Sequence, residues 1–341
     1  MADQIKDLEW HNVDEKNLRG LGWKDEHRTS PFHRLPKTLQ SEIPSQLWDL
    51  GCESAGLYID FVSNATDICV RWEVKKSQEC HLYMSYMGRS GLDLFGRDGS
   101  GKWRWAGSIS ANDDKKFNGQ LNSEPLDGCT REYRLYLPLM RQVQSIEIGT
   151  RGSLDFCKPI ERKPIAYYGT SIVHGAGVSR PGLSHCSQLG QCLDREFINL
   201  GFSGRAFCEL PIATALGRLD PCLYIVDVLP NNSAPQLLER LPQFLELLRK
   251  SRPKTPILIL GDRVFPNSTF QPLLGDTFRT KNHTLEMIVQ QLIDHGKKRL
   301  HLHLHPDWFG PNGSSDGSHP NDLGATRMAE ALVPIIRNII G

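Results

Sequence analysis

Four short segments of the 341-residue chain carry side chains and turns suited to handling protons and developing negative charge: Gly169-Thr170-Ser171, Asn199-Leu-Gly-Phe-Ser-Gly204, Leu229-Pro230-Asn231-Asn232 and Asp316-Gly-Ser-His319-Pro320. Serine is a nucleophile type, aspartate and histidine move or hold protons, and asparagine and turn glycines present N–H donors. Ser171 stands out because IAYYGTSIVHGAG, residues 165–177, passes from an apolar run through a turn into a helix start. Gly169 and Gly175 permit close backbone approach there, and a helix N-terminus aims free N–H groups outward. A serine in that place can react or bind an anion, or it can simply cap the helix. Gly204 has the alternative of a plain turn glycine, Asn231 of a helix cap, and Asp316 with His319 of a solvated loop.

The elements that would position these residues are legible in the second half of the chain. IAYYG, FINLG, LYIVDV, ILILG and RLHLHL are short apolar or alternating runs, and CSQLGQCLDREF, APQLLERLPQFLELLRK, TLEMIVQQLIDHG and LGATRMAEALVPIIRNII have helical spacing. Such βα units predict a parallel sheet covered by helices on both faces, with function at the carboxyl ends of its strands. The segments holding Ser171, Gly204 and Asn231 follow the first three of these strands, and the Asp316–His319 segment precedes the last helix.

In content and order, the four segments resemble the blocks of the SGNH hydrolase superfamily, the GDSL-type esterases, over most of residues 160–341. Where that family reads Gly-Asp-Ser-Leu, this chain has Gly169-Thr170-Ser171-Ile172, and the family's Gly-x-Asn-Asp becomes Leu229-Pro230-Asn231-Asn232. The resemblance implies a flavodoxin-like α/β hydrolase domain and a serine esterase acting through an acyl-enzyme. Ser171 would attack an ester carbonyl. His319 would take its proton and return it to the leaving alcohol, and Asp316 would orient His319. The main-chain N–H groups of Ser171 and Gly204 and the Asn231 amide would form the oxyanion hole. Arg180, Asp262 and Arg263 are candidates for substrate binding, with a structural arginine–carboxylate pair as the alternative.

The first half has a different rhythm. After a polar, turn-rich stretch to about residue 45, expected to wrap a neighbouring sheet, come GLYIDFVS, DICVRWEV, HLYMSYM, LDLFGRD, KWRWAGSI, REYRLYLPL and SIEIGT. Short runs at nearly even spacing predict an all-β sandwich or jelly roll. RDGSGKWRWAG reads as a hairpin that puts Trp103 and Trp105 on one strand face, as core or as a sugar-stacking platform; Met84 and Met87 read as packing residues. The charged, proline-containing stretch from Asp155 to Lys163 marks the boundary, giving residues 1–157 as the sandwich domain and 158–341 as the hydrolase domain. A β-sandwich ahead of the hydrolase resembles the two-domain subgroup of the superfamily. That implies a carbohydrate or small-molecule ester as substrate, with acyl transfer to another hydroxyl, or glycan binding without catalysis, as alternatives.

Composition removes other classes. With 40 basic and 39 acidic residues the net charge is +1, which offers no footprint for nucleic acid or an anionic membrane. The start of the chain lacks a signal-like apolar segment and no stretch is long and apolar enough for a membrane span, so a cytoplasmic protein is expected. Nine scattered cysteines without a C-x-x-C pair read as reduced, mostly buried thiols. No cofactor or metal is expected. Gly175-Ala-Gly177 has Arg180 where a dinucleotide fingerprint needs its third glycine. His301, His303 and His305 share a strand face at about 7 Å spacing, too wide for one metal without distortion.

Overall fold

In ICVRWEV, Ile68, Val70, Trp72 and Val74 alternate with more polar neighbours, and a strand of that period can bury one whole face. The computed structural model, which describes residues 7–75, 83–110, 115–304 and 307–341, shows this pattern repeated through the first half. The elements there are β1 (Glu9–Asn12), β2 (Leu18–Arg19), α1 (Ser45–Gly51), β3 (Tyr58–Ser63), β4 (Ile68–Val74), α2 (Tyr86–Ser90), β5 (Gly91–Arg97), β6 (Trp103–Ser110), β7 (Lys116–Gln120), β8 (Arg131–Tyr136), β9 (Val143–Thr150) and β10 (Leu154–Phe156). They form two antiparallel sheets, β1-β9-β4-β7 and β10-β3-β8-β5-β6, with β2 added to β3. Ile68, Val70 and Trp72 of the first sheet meet Ile59, Phe61, Leu92, Leu94 and Leu135 of the second in one core. The expected sandwich is thus a pair of sheets packed face to face.

Two local expectations change. HLYMSYM does not form a strand in its described part: Ser85 accepts a hydrogen bond from the Gly88 N–H and caps α2, which ends against β5. Trp103 and Trp105 lie outside the sandwich core. Trp103 is half-buried beside Arg97 and Arg134, and Trp105 is 55% exposed. Met84 is buried as expected.

In the second half, β11 (Ile165–Gly169), α3 (Ser171–His174), α4 (His185–Leu193), β12 (Phe197–Gly201), α5 (Leu210–Leu216), β13 (Leu223–Asp227), α6 (Ala234–Ser251), β14 (Ile257–Leu260), α7 (Pro272–Asp294), β15 (Leu300–His303) and α8 (Asp322–Ile340) follow one another. The strands form a parallel sheet in the order β12-β11-β13-β14-β15, the flavodoxin-like arrangement. Every residue of β11, β12 and β13 is buried, because helices cover both faces. Alternate residues feed two cores: Tyr168, Leu200 and Val226 face α5, α6 and α7, whereas Tyr167, Ile225 and Leu258 face α4 and α8. The expected strands and helices are present. α5 is too short for its periodicity to stand out, and α7 begins a dozen residues before its apolar pattern, at Pro272, through a turn whose Leu273 is 82% exposed.

The early, turn-rich stretch is part of this second layer. Trp23, Leu35, Leu39, Leu47 and Trp48 pack into the same core as Tyr168 and Phe244, and the Trp23 indole donates to the Ala215 carbonyl at 2.8 Å. Arg34, 2% exposed, donates to the carbonyls of Glu53, Leu50, Asn199 and Gly201 at 2.6–3.0 Å. The second face of the β3-β8-β5 sheet completes the junction. Tyr136 donates to the Ser187 carbonyl at 3.3 Å, and Phe95 lies against Gly182.

No described helix is long and apolar enough to cross a membrane. The eight described cysteines are free thiols, of which Cys52, Cys69, Cys186 and Cys208 are buried and Cys129 and Cys192 exposed; Cys80 lies outside the described residues.

Candidate active site

The sheet's register builds the site. Gly169 at the end of β11 lies opposite Gly201 of β12 and Asp227 of β13, so Ser171, Gly204 and Asn231 all follow within a few residues at one edge. The turn after β11 is tight: a Cβ on Gly169 would lie 2.6 Å from the Asp227 carbonyl oxygen and 2.5 Å from a Val173 methyl. Thr170 occupies the cap position of α3, without a side-chain cap bond, and Ser171 is its first helical residue. The capping alternative for Ser171 therefore does not apply. One turn later Gly175, at φ 105°, ends the helix in the left-handed region open to glycine.

Ser171 is 8% exposed, and its Oγ lies 2.9 Å from Nε2 of His319. Nδ1 of the same ring lies 2.8 Å from Oδ2 of Asp316. Oδ1 of Asp316 accepts the main-chain N–H groups of Ser318 at 2.9 Å and His319 at 2.8 Å, so the carboxylate also shapes the loop that carries the histidine. Burial pushes the Asp316 carboxyl up, but the bonds from the His319 ring and from these two N–H groups outweigh it and hold the group below the usual carboxylate range. An ionised carboxylate only accepts, so Nδ1 carries the ring proton and Nε2 is left to accept from the serine hydroxyl. The arrangement can draw a proton from Ser171.

Further bonds fix the loop. Ser315 Oγ donates to the Gly177 carbonyl at 2.9 Å, Ser314 Oγ donates to the His319 carbonyl at 2.8 Å, and Asn321 caps α8 by accepting the Gly324 N–H at 3.1 Å. The ring of Tyr83, from the first half of the chain, is stacked on the imidazole with centroids 4.6 Å apart.

The donors expected for an oxyanion occupy the neighbouring strand ends. Gly204 has φ 67°, and a Cβ there would meet nothing within 4 Å, so its backbone borders open space. Asn231 ends a short 3-10 turn, and the cap of α6 is Ser233. One N–H of the Asn231 amide goes to the Arg205 carbonyl at 2.7 Å, which ties it to the Gly204 turn and leaves its second hydrogen available.

His174, wholly buried in α3, braces this turn. Its Nδ1 lies 3.1 Å from Ser203 Oγ, and its Nε2 lies 3.0 Å from the Leu139 carbonyl and 3.1 Å from Glu53. Burial, and then the charge of Arg34, lowers its pKa and keeps it neutral.

Three expected substrate-binding residues are engaged elsewhere. Arg263 and Asp227 are fully buried and form a two-pronged pair, with Nη1 donating to Oδ1 at 2.7 Å and Nη2 to Oδ2; Tyr167 adds its hydroxyl at 3.2 Å. Burial opposes the guanidinium charge, but Asp227 keeps its pKa raised. Asp262, also fully buried, pairs with Lys281. Arg180 donates to both oxygens of buried Asp93, at 2.8 and 3.0 Å, which joins the loop after α3 to β5. These are the structural pairs of the alternative reading: buried Asp262 and Arg263 leave no surface for a ligand.

Tyr83, His174 and the serines of the 314–315 loop were not singled out from the sequence; the paired glycines of HGAG were the available signal for the tight packing around the serine. His301 and His303 lie in β15, with His303 stacked near Trp308, while His305 lies outside the described residues. Among the described residues, no group of three or more histidine, cysteine, aspartate or glutamate side chains is gathered to hold a metal.

A family model described as GDSL-like lipase/acylhydrolase matches residues 162–337, and one described as the N-terminus of SGNH-hydrolase-type esterases matches residues 8–156. Among solved structures, a protein from Bacteroides ovatus described as a GDSL-like lipase is 28% identical over 98% of both chains, with a TM-score of 0.90. A salicylyl-acyltransferase from a tetracycline biosynthetic pathway is 18% identical over 97% of both chains, with a TM-score of 0.75. A family two carbohydrate esterase from Clostridium thermocellum, solved with cellohexaose, is 13% identical over 83% of this chain and 92% of that one, with a TM-score of 0.59. The last two are likenesses of fold. No curated protein matches the chain significantly.

Proposed function

The chain belongs to the GDSL-like lipase/acylhydrolase family, and from that premise we propose that it is a serine esterase that cleaves carboxylic esters through an acyl-enzyme on Ser171. The observation that carries this reading is the unbroken relay from Ser171 Oγ through His319 to Asp316, at 2.9 and 2.8 Å. As Oγ adds to the ester carbonyl carbon, its proton passes to Nε2 and the carbonyl π pair moves onto oxygen. The Ser171 and Gly204 N–H groups and the free N–H of the Asn231 amide receive that negative charge. Collapse of the adduct expels the alcohol, protonated by Nε2. Water, deprotonated by the same nitrogen, then releases the acid. Asp316, kept ionised, stabilises the imidazolium in both halves of the cycle.

The proposed substrate is an acylated carbohydrate or another small ester. The family supports ester chemistry, and the Tyr83 ring stacked on His319 supports a site bordered by both halves of the chain. Acyl transfer would use the same intermediate with a different hydroxyl in place of water.

Hydrolysis of p-nitrophenyl acetate, with and without a fluorophosphonate, tests the proposal. Turnover that is abolished as the reagent attaches to Ser171 is expected. Absence of both turnover and labelling would leave the chain as a binding protein and sink the esterase reading. Adding an alcohol acceptor to the same assay separates the two fates of the acyl group, since transfer yields a new ester at the expense of free acid.

A further inference from the structure

Tyr83 lies in the region matched by the N-terminal model, far in sequence from the hydrolase motifs, yet its ring is parallel to that of His319, with planes 9° apart and centroids 4.6 Å apart. Its neighbours fasten it in place. Met84 is buried with Leu139, Ala176 and Val178 in a small apolar cluster, and Tyr83 packs against that cluster. Ser85 Oγ donates to the Ser179 carbonyl at 3.2 Å, and Gly88 approaches so closely that a Cβ would lie 2.3 Å from the Val178 carbonyl oxygen. Residues 83–88 therefore rest on the loop that leaves the helix of Ser171.

His319 is held along two edges of its ring, at Nδ1 by Asp316 and at Nε2 by Ser171. Two hydrogen bonds hold those edges but still allow the ring to tilt about the line between them. A flat partner against one face removes that freedom. The same face carries the negative side of the tyrosine quadrupole, which attracts an imidazolium more than a neutral ring.

We propose that Tyr83 is a positioning residue for His319, supplied by the N-terminal domain, a role that rests on the serine-esterase reading of the site. While the serine proton resides on the ring, Tyr83 holds the imidazolium in the plane from which Nε2 can return that proton to the leaving oxygen. It forms no bond with the substrate and exchanges no proton.

The rate of fluorophosphonate attachment to Ser171 tests this, because it reads the activated hydroxyl without depending on the fit of a natural substrate. In Tyr83→Ala, labelling should still reach one group per chain, with a rate constant lower by about 2- to 30-fold. Tyr83→Phe keeps the ring and should label at close to the native rate, whereas Tyr83→Leu fills similar space without a π face and should resemble Tyr83→Ala. In NMR spectra the His319 ring protons should be shifted upfield by the tyrosine ring current in the native protein and in Tyr83→Phe, and not in the other two.

A Tyr83→Ala protein that labels at the native rate overturns the proposal, as does a leucine variant as fast as the phenylalanine one. If the alanine variant does not fold, the leucine and phenylalanine variants still decide: a phenylalanine variant faster than the leucine one counts in favour of Tyr83, and any other order counts against it. A native protein that is not labelled at Ser171 overturns the esterase reading itself, which distinguishes the two failures.

Discussion

Gly177 lies against His319 and Pro320: a Cβ placed on Gly177 would lie 3.0 Å from Cβ of His319 and 2.4 Å from the Pro320 carbonyl oxygen. Gly177 also has φ 97°, a region that side chains avoid. Gly177→Ala should therefore move the histidine loop away from Ser171. A displacement on the order of 1 Å at a reacting group costs roughly 10²-fold in rate. Esterase assays with a circular-dichroism control check this, and a folded variant with native kcat would show that the loop tolerates the methyl group.

The proposed oxyanion donor and the orienting carboxylate should fail differently. Asn231→Ala removes one donor to the developing charge and is expected to lower kcat by ~10²–10³-fold with little change in KM. Asp316→Asn keeps the shape but favours the wrong ring tautomer, and its loss should reach about 10⁴-fold in kcat. Steady-state kinetics on one ester separate these from Ser171→Ala, in which labelling should disappear altogether.

Arg263 and Asp227 make a separate prediction, for stability. Arg263→Met leaves the Asp227 carboxylate buried without its partner, and breaking a buried pair in this way costs about 3–5 kcal/mol. Replacing both residues with apolar ones should destabilise much less than the sum of the single changes. Urea unfolding of the two single variants and the double variant provides the cycle, and additive losses would show that the two residues act independently.

Acid should weaken the fold through its buried histidines. Burial, with Arg263 nearby, lowers the pKa of His185 from 6.5 to about 3, and burial, with Lys75 nearby, lowers that of His33 to about 4. Below 6.5 the unfolded chain binds protons that the folded chain refuses, so stability falls as pH falls. The contribution is fully present above about 6.5 and is lost progressively as the pH descends through 4 toward 3. Thermal midpoints measured from pH 7 to pH 4 should drop steadily, and a flat series would contradict this account.

The parallel sheet was legible because its strands are buried on both faces and so appear as uninterrupted apolar runs such as ILIL and IAYYG. The residues after those strands and before the last helix could be named because their content and order resemble the SGNH blocks, and Ser171, Asp316 and His319 are brought into one hydrogen-bonded relay. Charge was harder to read. Arg180, Asp262 and Arg263 have the side chains that bind substrates, but the same side chains pair with buried partners, and the sequence does not show that depth. HLYMSYM alternates well enough to resemble a strand, yet Ser85 caps a short helix there. The stack of Tyr83 on His319 is set by how two layers meet, and no local pattern encodes that.

The crossing of residues 23–52 into the α/β layer has a consequence for synthesis. Trp23 and Leu47 leave the ribosome early, but the strands and helices whose core they enter, with Tyr168, Ala215 and Phe244, are made much later. The first half therefore emerges with apolar side chains that have no local place to bury, and it cannot finish folding by itself. Contacts so distant along the chain also slow the search for the native state. Newly made chains should depend on chaperones until the last helix has been released, and a nascent chain halted near the end of β10 should remain sensitive to protease in the 23–52 segment.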